Sequence, residues 1–137
     1  TIYEGTSQLQ VVAAIRHVTT GSYLKLIQEY DAQPINPEFT SLRKRLQIMT
    51  NLFETTVARV NDSKNQEYID FQARRMVEMG GHIIMGYLLL IDASRDTEDQ
   101  FRKSAEIYIN YGEVEVRRHA AFIKKFEVEH VDIYKVQ

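Results

Sequence analysis

Cysteine is missing from this sequence, so disulfides and thiolate metal sites are excluded and a reducing compartment is permitted. Glycine and proline are scarce, six and two in 137 residues. With 44% hydrophobic and 26% charged residues, that scarcity excludes a disordered tail and leaves one soluble globular domain. An excess of one charge is missing too. Seventeen Lys and Arg against 19 Asp and Glu give a net charge of −2, so nothing draws the chain as a whole to nucleic acid or to an anionic membrane. The longest apolar stretch, Met76 to Ile91, is interrupted by Glu78 and His82. It falls short of the ~20 mostly apolar residues of a membrane span, so it is expected to be a buried helix and not a transmembrane segment. Thr1 opens the sequence without Met, a basic run or an apolar run, so no signal peptide is expected and the sequence reads as a piece of a longer chain.

What is present is helical periodicity. Pro34 and Pro37 fall in Asp31–Pro37, a stretch with Asn36 and no periodicity, which reads as a linker. Asn36 before Pro37 and Glu38 is a helix start, because an Asx oxygen accepts first-turn amides and Pro at the first position forfeits no needed donor. Apolar residues then recur at Leu42, Leu46, Met49, Phe53, Val57 and Val60, spaced by three and four. After Asn61 and Asp62, Ser63 with Gln66 has capping-box spacing for a second long helix, whose core face is Ile69, Ala73, Met76, Gly80, Ile83, Tyr87 and Ile91. Ile84, Leu88, Leu89 and Leu90 leave this helix little polar face from Met79 to Ile91, so that half should be enclosed by neighbours or by a partner subunit. Gly80, Gly81 and Gly86 each cost about 1 kcal/mol against Ala in a helix interior, a penalty expected where another backbone packs closely. A second break at Ala93–Asp96 precedes Thr97 and Gln100, again at capping-box spacing. The third long helix carries Phe101, Ala105, Tyr108, Gly112, His119, Ile123 and Phe126 and is expected to run to Glu129. Ahead of the prolines, Leu9, Val12, Ala13 and Val18 suggest one helix, with Gly21 as its C-cap and Tyr23 to Tyr30 as a further helix. No run alternates as a strand does. The predicted fold is all-α: an up-and-down bundle of three long helices plus one or two shorter N-terminal ones.

The first ten residues fit poorly as bundle packing. The string Ile2-Tyr3-Glu4-Gly5-Thr6-Ser7-Gln8 resembles a contiguous signature of the acyl-CoA dehydrogenases, and the helix after it resembles the one that closes the C-terminal helical domain of those flavoenzymes. The resemblance implies FAD-dependent α,β-dehydrogenation of an acyl-CoA thioester, as in fatty-acid β-oxidation. It places Glu4 as the catalytic base that takes the α-proton while the β-hydrogen leaves as hydride to the flavin, Gly5 against the acyl-CoA, and Thr6, Ser7 and Gln8 against FAD. Such chemistry needs a carboxylate, since an α-proton beside a thioester is weakly acidic and leaves only when a fixed base, a polarised carbonyl and a hydride acceptor act together. The Glu4 amide is the implied donor to the thioester oxygen, and Gly5 permits close backbone approach. Without the resemblance, the same stretch is a turn and N-cap with an exposed Glu4.

The resemblance further implies acyl-CoA and an electron-transfer flavoprotein as partners of the full-length parent, a homo-oligomer, and a cytoplasmic location, or the mitochondrial matrix in a eukaryote. The family's N-terminal helical domain, its β-domain and the first helices of its C-terminal domain are not in this sequence, so the 137-residue chain alone is expected neither to retain FAD nor to turn over substrate. Residues 1–33 are then the end of the dehydrogenase C-terminal helical domain. Residues 34–137 are an additional bundle, resembling more loosely the extra C-terminal domain of some larger members. The alternative is a non-catalytic interaction or oligomerisation module whose partner face is Met79 to Ile91.

Weaker constellations have bland readings. Glu127-x-x-His130 has the spacing of di-iron bundles, but Glu78 with His82 and Glu115 with His119 are spaced by four, so no metal site is expected. The basic groups Arg43-Lys44-Arg45, Arg74-Arg75, Arg117-Arg118 and Lys124-Lys125 sit among acids and read as solvated faces, with a patch for CoA phosphates or an acidic partner as the other reading. Tyr68, Tyr87, Tyr108 and Tyr111 at helical spacing read as core and rim rather than as a ligand groove.

Overall fold

The structure, a computed structural model, describes residues 21–96 and 99–130. Four helices follow one another: α1 (Ser22–Asp31), α2 (Thr40–Asp62), α3 (Gln66–Arg95) and α4 (Arg102–Lys125), with short 3-10 turns at Pro37–Phe39 and Val128–His130. No strand occurs among the described residues. The three long helices run up, down and up. Glu38, just ahead of α2, pairs with Arg102 at the start of α4 at one end, and Tyr68 at the start of α3 donates to the Phe126 carbonyl beyond the end of α4 at the other. Central α3 packs on all three neighbours and most extensively on α4.

The periodic apolar positions make this core. Leu42, Leu46, Met49, Phe53, Val57 and Val60 of α2 are all buried, as are Ala73, Met76, Ile83, Tyr87 and Ile91 of α3, while Ile69 is half-buried. Met79 and Leu90 are also fully buried, so most of the apolar half of α3 is enclosed by its own bundle. Met85 and Leu88 are the large side chains of that half left at the surface. By length and mean hydropathy α3 would pass for a membrane span, but half of its most apolar window is buried by the other helices. That is how a core helix looks.

Local chemistry sets the helix ends. Asn36 caps as expected, its side chain accepting from the Glu38 amide at 3.2 Å, and the first turn after Pro37 is 3-10 before α2 begins. Three expected boundaries move. Ser63 does not cap α3: its hydroxyl donates to the Val60 carbonyl at 2.7 Å, finishing α2, and Lys64 turns the chain through φ 52. Asn65 is therefore the residue placed to accept from Tyr68 N, at 3.1 Å. Ahead of α4 the acceptor is Asp96, which takes the amides of Gln100 and Phe101, while Thr97 lies outside the described residues. Helix α4 ends at Lys125 rather than Glu129, because Phe126 turns extended and stacks on Phe122 with ring centroids 4.3 Å apart.

The glycines of α3 admit side chains rather than a backbone. A Cβ on Gly80 would strike the Tyr23 ring of α1 and come within 3.1 Å of Phe53, and one on Gly86 would lie 2.7 Å from Leu46 Cδ2. Nothing lies near Gly81. Gly21, expected as a C-cap, has φ 87 and its carbonyl accepts from Lys25 N at 3.0 Å to start α1; the helix it would close lies outside the described residues.

Candidate functional site

The catalytic and binding candidates Glu4, Gly5, Thr6, Ser7 and Gln8, with the helix from Leu9 to Val18, lie outside the described residues. The bundle itself carries two polar constellations.

The first constellation ties α1 to the bundle. The Asp31 carboxylate accepts from Tyr87 Oη at 3.0 Å, Gln47 Nε2 at 3.2 Å and Arg43 Nε at 3.1 Å, and the Arg43 guanidinium also reaches the Asp31 carbonyl. Burial, and then the adjacent Asp31 charge, push the Tyr87 phenol far above its ordinary value, so it stays a donor. Every partner is a donor to one carboxylate. The cluster is a satisfied, half-buried network that positions α1 and leaves no nucleophile.

The second lies where α3 meets α4. His119 is buried with Nε2 2.8 Å from Glu78 Oε2 across the helix interface, yet without the alignment of a hydrogen bond. Burial pushes the imidazole below its ordinary value, and the nearby Glu78 charge only partly offsets this. Beside it Arg118 donates to Glu115 at 2.6 Å and holds that carboxyl below its usual range. His82 Nδ1 sits 3.2 Å from Tyr108 Oη, whose phenol is raised by burial. The sequence spacing pairs Glu78 with His82 and Glu115 with His119 along one helix, whereas the fold joins Glu78 to His119 between helices. Only the register of α3 against α4 carries that pairing. Among the described residues no three ligating side chains converge on a point where a metal would sit.

Some of the basic residues pair with acids, Arg117 with Glu113 at 3.7 Å along α4, and Arg45 with Glu113 at 3.1 Å and Arg43 with Asp31 between helices, while Arg75 lies over the Phe122 ring. Of the four tyrosines, Tyr68 and Tyr87 are core, Tyr108 is half-buried, and Tyr111 is exposed with Ile107 and Val114 on the outer face of α4. The larger hollows of the bundle offer no cradle for a flavin ring. The hollow of about 470 Å³ between Pro34–Pro37 and Ser94–Arg95 has no aromatic wall for a tricyclic ring, and those of about 250–330 Å³ are smaller still.

A family model for the acyl-CoA dehydrogenase C terminal matches residues 19–131, which takes in all four described helices. The chain belongs to that family. The acyl-CoA dehydrogenase C-terminal match starts after the Ile2–Gln8 string, so motif and domain are separate observations on one chain. The acyl-CoA dehydrogenase family protein from Porphyromonas gingivalis, known from its crystal structure, is 42% identical with a TM-score of 0.78, over 84% of this chain and 98% of that one. The overlap takes up nearly the whole of that crystallised chain. No curated protein matches.

Proposed function

We propose that this chain is the C-terminal part of an FAD-dependent acyl-CoA dehydrogenase, with Glu4 as the base for the α-proton of an acyl-CoA thioester and the helical bundle as a non-catalytic extension. The reading is supported by succession: the contiguous Ile2–Gln8 string is followed, in one chain, by the acyl-CoA dehydrogenase C-terminal domain. The flavin of the parent supplies the hydride acceptor. Of this chain's own residues, Glu4 holds the α-proton, Gly5 lets the thioester approach the backbone, and Thr6, Ser7 and Gln8 contact the cofactor. Residues 1–33 end the dehydrogenase's C-terminal helical domain, and α1 at their end docks on the 34–137 bundle through Asp31. The parent acts in fatty-acid β-oxidation in the cytoplasm, or in the mitochondrial matrix of a eukaryote. It takes acyl-CoA and an electron-transfer flavoprotein as partners, and it is a homo-oligomer.

Glu4→Gln in the full-length parent tests this. Loss of a positioned general base costs on the order of 10²–10⁴ in rate, so kcat should collapse while oligomeric state and melting temperature hold. Undiminished turnover sinks the assignment. The isolated 137-residue chain should show neither stoichiometric FAD nor dehydrogenation, measured by flavin absorbance and dye reduction. A second reading, an interaction module, is favoured by one observation: Ile107, Tyr111 and Val114, spaced by four and three, are 59%, 54% and 63% exposed on the outer face of α4. The partner face expected at Met79–Ile91 is instead mostly core.

A further inference from the structure

Between α2 and α4, which run side by side in the same direction, lies a groove of about 290 Å³ that the dehydrogenase chemistry does not use. Its apolar lining includes Leu52 of α2 with buried Ala120 and Ile123 and exposed Ala121 of α4. It stays open because α4 presents alanine at two successive positions where a longer side chain would close the gap. The one hydroxyl in the lining, that of Thr56, donates to the Leu52 carbonyl at 2.7 Å, so the floor offers no unspent polar side chain.

The rim is of one sign. Arg59, Arg117 and Lys124 stand around the groove, and no carboxylate lines it. Among the described residues Arg59 and Lys124 have no ion pair, and the acid nearest Arg117 is Glu113, 3.7 Å away and closer to Arg45. Glu127 lines the adjoining hollow with Arg59 but forms no ion pair with it. Three cations over an apolar trough are complementary to an anion that carries a hydrocarbon tail, the tail replacing water on the floor and the head held among the ammonium and guanidinium groups. Size decides between occupants. The volume is at the small end of small-molecule sites, and a stable protein partner needs about 800 Å² on each side, so the groove suits one alkyl chain rather than a helix.

We propose that the α2/α4 groove binds a single-chain anionic amphiphile, such as a free fatty carboxylate, with its tail over Leu52, Ala121 and Ile123 and its head among Arg59, Arg117 and Lys124. This stands apart from the role of Glu4 and holds whether or not that residue is a base.

Titration calorimetry of the 137-residue chain with sodium dodecanoate below its micellar range tests it. Saturable one-to-one binding is expected. Ala121→Leu, which fills the trough from an exposed position, and the double variant Arg117→Gln/Lys124→Gln should each weaken binding at least tenfold while the circular dichroism melt stays within a few degrees of the parent chain. Dodecyltrimethylammonium, with the same tail and the opposite charge, should not saturate. Absence of dodecanoate binding overturns the proposal. So does equal binding by both substituted chains, or equal binding of the cationic detergent, since either means adhesion without a site. Sedimentation with phosphatidylglycerol vesicles in the absence of dodecanoate binding also overturns it, in favour of a membrane surface.

Discussion

Gln72 is the sharpest test of the packing. It lies on α3 one turn beyond Tyr68, is 0% exposed, and neither its Nε2 nor its Oε1 has a hydrogen-bond partner among the described residues. Methionine has nearly the same shape without the amide. A buried donor and acceptor left unmatched cost roughly 1–3 kcal/mol, helix propensities of the two residues are close, and volume-conserving swaps add little strain. Gln72→Met should therefore stabilise the bundle by about 1–3 kcal/mol. In a chain of this size each kcal/mol moves the melting temperature by roughly 3–6 °C, so a rise of at least about 3 °C is expected in a circular dichroism melt. The urea midpoint should rise with an unchanged m-value. If Gln72→Met instead lowers stability by more than about 1 kcal/mol, the amide is paired after all and the account of this layer of the core is wrong.

The glycines of α3 should split: Gly81→Ala, at an open exposed position, stabilises by about 1 kcal/mol, whereas Gly80→Ala, which drives a methyl into Tyr23 and Phe53, loses about 1–2 kcal/mol net to overpacking. Urea titrations of the two variants give opposite shifts in midpoint. Tyr87→Phe removes a donor from the partly exposed Asp31 carboxylate and should cost about 1 kcal/mol by thermal melt. His119 has a folded-state value pushed below that of the unfolded chain, so below about pH 6.5 the unfolded state binds more protons. Stability falls as pH drops from there through the lower folded value, and it is level above. His119→Gln should flatten that part of the melting-temperature profile between pH 7.5 and 5, a comparison that leaves the carboxylates in common.

The helices of this bundle were largely legible because a one-sided apolar stripe must be buried. Leu42 through Val60 spell out the inner face of α2 by spacing alone, and each of those six side chains is buried. The ends were less legible, since several short polar residues compete for one cap. Ser63 and Asn65 both suit the start of α3, and only the left-handed Lys64 between them decides. The role of the α3 glycines was half legible: crowding was foreseeable at Gly80 and Gly86, but not that rings and methyls would do the crowding. Cross-helix chemistry was not legible at all. Glu78 meets His119, and Asp31 meets Tyr87, through helix register, which periodicity along one chain does not encode. Of the sites, the Glu4–Gln8 string was readable only through likeness to a family, while of the cations over the α2/α4 groove Arg117 and Lys124 come from doublets that read as ordinary solvated faces and Arg59 from no basic group at all.

The central place of α3 also bears on how the protein is made. Its most extensive packing partner, α4, follows it in the chain. At about 5–20 residues per second, a nascent chain on the ribosome carries a 30-residue greasy helix for seconds before its cover is synthesised. In that interval the polypeptide exposes apolar surface that α4 later covers, and it is then that the chain is most prone to aggregate.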